Sequence, residues 1–124
     1  MPLCLLAAGA LAMIVPADSF ELRWSHSVER TTWRETWRVA GATLVVIEAE
    51  VAGSGAGIDP PEGARFEGGV WRFQPAVPPL ARLTLPASEY TADYALCWSG
   101  ACAPLRTLVP LEASEPVTLV PCTG

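Results

Sequence analysis

The sequence predicts an all-β fold: a single-domain antiparallel β-sandwich, or a partly open barrel, of about seven to nine short strands. Three observations lead there. Twelve prolines and ten glycines punctuate the chain, leaving short runs at intervals of about 8–12 residues, the spacing of strands and turns in sandwiches and barrels. Those runs either alternate apolar with polar residues or are rich in β-branched ones, as half-buried strands require. Beyond the first seventeen residues no stretch sustains a helical period. Hydrophobic residues make up 51% of the 124 and charged residues 17%, a balance that excludes disorder and suits one modest core. No linker or internal repeat divides the chain.

The opening run MPLCLLAAGALAMIVPA contains no charged side chain. Leu3 to Val15 is shorter than the ~20 residues that cross a bilayer as a helix. It fits the apolar part of a secretory signal, with Val15-Pro16-Ala17 as the small-residue cleavage site before Asp18. An uncleaved membrane anchor is the alternative, and a buried first helix or strand the plainest one. Residues 1–17 are therefore expected to be signal peptide or anchor, and residues 18–124 the β domain.

Arg23 to Arg38 holds the sole histidine, three of five tryptophans and four of eight arginines. As strand, turn and strand, it sets Phe20, Leu22, Trp24, His26 and Val28 on one face. In the second arm Thr31, Trp33, Glu35, Trp37 and Val39 share a face, opposite Thr32, Arg34, Thr36 and Arg38. A turn centred between Glu29 and Arg30 places His26 opposite Trp33 and Trp24 opposite Glu35. His26 and Glu35 are then diagonal neighbours, roughly 7–8 Å apart at the backbone. On an apolar face each polar group needs a partner, and each can serve the other.

Thr43 to Val51 reads as the next strand. Thr43, Val45, Ile47, Ala49 and Val51 form its inner row, and Glu48 and Glu50 face water beside Leu44 and Val46. Gly53-Ser54-Gly55-Ala56-Gly57 follows. It lacks the Lys-Ser/Thr of a phosphate loop, and Pro60-Pro61 blocks the helix that would hold a phosphate, so a surface loop is expected. Gly68-Gly69 marks a hairpin and Pro75 to Pro79 a stiff connector. Leu83 and Leu85 alternate in a short strand. Ser99-Gly100 turns a further hairpin, and Thr107–Leu111 and Val117–Val120 complete the expected strands.

A two-residue turn at Ser99-Gly100 sets Cys97 directly opposite Cys102, within disulfide reach. Pairing of Cys122 with either one is the rival connectivity, because cleavage at Ala17 would remove Cys4. A disulfide implies an oxidising compartment, in agreement with an exported chain. A zinc site built from His26, Cys97, Cys102 and Cys122 lacks two closely spaced ligand pairs, and no cofactor is expected.

A net charge of −5, with no lysine and no asparagine, argues against nucleic-acid binding. Catalysis is not expected either, since His26 and Ser27 point to opposite faces of one strand and cannot join a triad. Two readings of the hairpin remain. In one, the tryptophans are core and His26–Glu35 a register-fixing polar pair. In the other, His26, Glu29, Arg30, Trp33, Arg34, Glu35 and Trp37 form a binding surface. There Trp33 and Trp37 supply apolar area, and Arg30, Arg34 or Arg38 pairs with a carboxylate.

His26-Ser27-Val28-Glu29, followed by Trp33, Glu35 and Trp37 and then by Gly53 to Gly57 with Pro60-Pro61, resembles the family of domain of unknown function (DUF) 1850. Leu96-Cys97, Cys102 and Pro121-Cys122 are similar to that family's ending, so the resemblance runs from Phe20 to Cys122. Its members are small bacterial proteins encoded beside TAXI-type TRAP transporters. The resemblance implies an extracytoplasmic, periplasmic accessory protein, acting as a protein-protein or solute-binding module. The partners it implies are a TRAP-type membrane subunit or its solute-binding protein, with residues 1–17 as a membrane anchor if retained. A self-contained domain that binds a small solute without a transporter partner is the alternative.

Overall fold

The computed structural model describes residues 2–26, 31–53, 62–85, 94–109 and 116–122. Within them lie eleven strands: β1 Leu3–Ala7, β2 Ala10–Val15, β3 Ser19–His26, β4 Thr31–Ala40, β5 Thr43–Gly53, β6 Arg65–Glu67, β7 Val70–Phe73, β8 Leu83–Leu85, β9 Ala95–Trp98, β10 Ala101–Pro104 and β11 Val117–Pro121. One turn of helix, α1 Leu105–Leu108, follows β10. A small sheet runs β2-β1-β11-β8 and a large one β10-β9-β3-β4-β5-β7-β6, with antiparallel pairing throughout. The expected sandwich is present, and it is not a closed barrel. Its core interleaves Leu3, Leu5, Val15, Leu85, Val117 and Leu119 from the small sheet with Phe20, Leu22, Trp37, Leu44, Val46 and Leu96 from the large one.

The strand count exceeds the expected seven to nine partly because Leu3–Val15 is itself a hairpin. β1 pairs with β2 on one side and β11 on the other, and Leu3, Leu5 and Val15 are fully buried. The residues expected as signal or anchor thus build half of the small sheet. Cys4 bonds Cys122 across β1 and β11, with Cα atoms 5.1 Å apart. That replaces the expected rival pairing of Cys122 with Cys97 or Cys102. The other bridge is the one expected, Cys97–Cys102, between directly paired residues. Its turn has positive φ at both Ser99 and Gly100, the backbone that fits the twist of a two-residue hairpin.

Three local expectations are corrected. β3 and β4 pair two residues out of the anticipated register: Trp24 opposes Trp33, Leu22 opposes Glu35 and His26 opposes Thr31. A slip of two keeps every side chain on its face, so the face assignment survives and the pairing does not. On β5 the register with β4 shifts between Thr36 and Trp37, leaving Ile47 as an extra residue in a β-bulge. The alternation reverses there. Leu44 and Val46 are buried before it, Ala49 and Val51 after it, and Ile47 is 41% exposed. Finally, the expected strand at Thr107–Leu111 begins as α1. Val109 N–H donates to Leu105 O at 2.9 Å, and the Thr107 hydroxyl donates to Pro104 O at 2.7 Å. Leu105 and Val109, four residues apart, both enter the core.

Candidate functional site

The large sheet presents two chemically different faces, and alternation along β3, β4 and β5 divides the expected site residues between them. On the inner face, cross-strand pairing lines up Trp24, Trp33, Val51, Trp71 and Phe66 in one transverse row. Trp24 and Trp33 stack with centroids 5.8 Å apart and planes 8° from parallel. Tyr94 tilts onto Trp24 at 5.5 Å, and Phe66 onto Trp71 at 5.0 Å. Offset or tilted rings are the favoured aromatic contacts. Trp24 and Tyr94 reach the edge of the core, and Phe66, at the far end of the row, is 59% exposed.

The neighbouring inner row is Leu22, Glu35, Ala49 and Phe73, which sets a carboxylate among apolar groups. Burial raises the pKa of Glu35, because a low-dielectric surrounding disfavours the charged form. A hydrogen bond donated by Trp37 Nε1 at 3.2 Å opposes that shift. Burial also raises the Tyr94 pKa, and the charge of Glu35 adds to the effect. Glu35 and Tyr94 are thus close enough to sense each other, a proximity the sequence did not disclose.

The outer face carries the charge. Arg23, Arg34, Glu50, Arg72 and Arg65 form one cross-strand row. Arg34 donates to Glu50 through Nη2 and lies 4.0 Å from Glu21. Arg23 Nη2 donates to Glu21 at 3.2 Å. Arg72 Nε sits 3.3 Å from Glu50 Oε1, an ion pair whose angle falls short of a hydrogen bond. The hydrogen bond to Glu50 is the main reason the Arg34 pKa is raised.

The expected binding set is therefore brought together only in part. Glu35 and Trp37 touch, but Trp37 is 3% exposed and stacks on Phe20 at 6.5 Å, a core position. Trp33 joins the aromatic row, whereas Arg34 projects from the opposite face, so no single tryptophan–arginine patch includes both. His26 pairs at the backbone with Thr31, four residues from Glu35, or about 13 Å along the strand. The diagonal His26–Glu35 pair is overturned. Glu29 and Arg30 lie outside the described residues. Trp71, Phe66 and Tyr94 on one face, and Arg23, Glu50 and Arg72 on the other, are additions. Their signal was parity: Arg23, Arg34 and Glu50 were all expected on outer rows, but only the observed register makes them neighbours. Among the described residues no cluster of metal-ligating side chains occurs.

Residues 20–105 match the family described as Domain of unknown function (DUF1850). The match spans every strand of the large sheet and stops before Pro121-Cys122, short of the extent expected from the resemblance. No match was found among curated proteins or solved structures.

Proposed function

This chain belongs to the DUF1850 family, and on that footing we propose that it is an extracytoplasmic accessory binding module that docks on a TRAP-type membrane subunit or its solute-binding protein. Two disulfides are consistent with an oxidising extracytoplasmic environment. The observation that carries the binding role is the inner aromatic row. It runs from the core edge at Trp24 to an exposed Phe66, and surface aromatics are the side chains that most often anchor protein interfaces. The half-buried Glu35 beside it adds one polar group to an otherwise apolar strip.

The test is capture of these two classes of partner from solubilised envelope by the tagged, oxidised protein. Recovery of a TRAP-type subunit, lost in a Phe66→Ser/Trp71→Ala variant that still folds, is the expected outcome. Recovery of neither class, or recovery indifferent to that variant, would sink the docking reading.

A further inference from the structure

The outer face of the large sheet holds a charge arrangement that is incomplete as it stands. Glu21 lies between Arg23 and Arg34, and Glu50 between Arg34 and Arg72. Three guanidiniums thus alternate with two carboxylates, leaving one positive charge in excess. Arg23 and Arg34 are directly opposite each other, a like-charge juxtaposition that needs an anion beside it. Glu21 supplies one from one side only.

On the other side the adjacent row consists of Thr32, Ala52 and Val70, small uncharged side chains that leave a depression of about 190 Å³ against Arg23 and Arg34. Arg23 Nε is shielded from water and has no hydrogen-bond partner among the described residues. Thr32 places a hydroxyl on the floor.

We propose that this depression binds the carboxylate of a small organic acid, which bridges Arg23 and Arg34 opposite Glu21 and accepts from Thr32. The chemical class follows from the ladder itself. Glu50 meets Arg34 with one oxygen and Arg72 with the other, so neighbouring guanidiniums on this sheet already stand at the spacing of a planar two-oxygen group. The volume is below the ~300–1,000 Å³ typical of drug-sized sites, which limits the ligand to a few carbon atoms. This site lies on the face away from the aromatic row. It deepens the solute-binding side of the proposed function, and a failure of partner capture leaves it intact.

Isothermal titration of the full oxidised chain with succinate at low ionic strength tests the site. Saturable one-to-one binding is expected, weakened at least about tenfold by Arg23→Gln and several-fold by Thr32→Val, as lost charge-assisted and neutral hydrogen bonds predict. Arg65→Gln, in the exposed Arg65–Glu67 pair of β6, should leave it unchanged. Absence of saturation would overturn the site. Equal weakening by Arg23→Gln and Arg65→Gln would do so too, because diffuse attraction would then explain the heat. Sulfate binding as tightly as succinate would overturn the carboxylate assignment. Thr32→Val removes only a surface hydroxyl, so its result stands even if Arg23→Gln perturbs folding.

Discussion

Removing the Cys4–Cys122 bridge should destabilise the protein far more than removing Cys97–Cys102. The two close loops of very different length, with sequence separations of 118 and 5. In the chain-entropy description the constraint on the unfolded ensemble grows with the logarithm of loop length, giving about 5 kcal/mol for the long loop and ~2 kcal/mol for the short one. The difference, 1.5RT times the logarithm of the length ratio, is about 3 kcal/mol. Both bridges join paired strands, so double alanine replacement removes comparable contacts in each case. With a urea slope of about 1–3 kcal/mol per molar for a domain of this size, the two variants should differ in midpoint by roughly 1–3 M. Equilibrium unfolding of Cys4→Ala/Cys122→Ala and of Cys97→Ala/Cys102→Ala, both oxidised and both retaining residues 3–15, gives the comparison. Equal midpoints, or a lower midpoint for the Cys97/Cys102 variant, would refute the reasoning. They would show that the first and last strands do not hold each other in the folded state.

Other perturbations report on particular contacts. Burial raises the Glu35 pKa above its ordinary value, so the folded state holds the proton more tightly than the unfolded one. That stabilisation is complete below the ordinary carboxylate range and is lost as pH rises through the folded pKa. Glu35→Gln should therefore stabilise at neutral pH and gain nothing in acid, as read from melting temperatures across pH, and a gain that grows toward acid would contradict the assignment. Glu50 is 13% exposed and neutralises both Arg34 and Arg72, so Glu50→Gln should cost ~1–3 kcal/mol in denaturant unfolding, after discounting the part-exposed arginines. Glu67→Gln in the exposed pair should cost under ~0.5 kcal/mol. Val46→Thr buries a hydroxyl and should cost ~1–3 kcal/mol, whereas Ile47→Thr at the bulge should cost under ~1 kcal/mol. The reverse order would restore the uninterrupted alternation. Trp37→Ala should cost ~3–5 kcal/mol, and a loss below 1 kcal/mol would remove Trp37 from the core.

Much of the architecture was legible because period-two alternation and turn chemistry are local. The faces of β3 and β4, the Ser99-Gly100 turn and the Cys97–Cys102 bridge all follow from neighbours a few residues apart. Register was another matter. Ser27-Val28-Glu29-Arg30 contains no glycine, asparagine or proline to pin a turn type, and a two-residue slip buries the same side chains. That ambiguity paired His26 diagonally with Glu35. The bulge at Ile47 was invisible for a related reason, since Val45, Val46 and Ile47 are all plausible strand interiors and only the partner strand decides which is squeezed out. The start of the chain was ambiguous in a deeper way. Thirteen uncharged apolar residues serve equally as an export signal or as two buried strands, and the deciding contacts lie with β11, more than a hundred residues on. The aromatic row and the arginine ladder were half legible, because their members have the right parity but belong to strands brought together only by the fold.

The position of β11 has a consequence for how the molecule is assembled. In the small sheet it lies between β1 and β8, so the central plank arrives after both of its neighbours. A chain translocated or synthesised from its N-terminus as far as β10 possesses every strand of the large sheet, yet β1 and β8 have nothing between them to pair with. The large sheet can zip early from adjacent hairpins. The small one waits for insertion of the last described strand and for closure of a loop that encompasses nearly the whole molecule, the slow kind of contact in folding. Until then the apolar inner residues of β1 and β8 stay uncovered. The interval before Cys4 meets Cys122 is when a holding chaperone would find the most to hold.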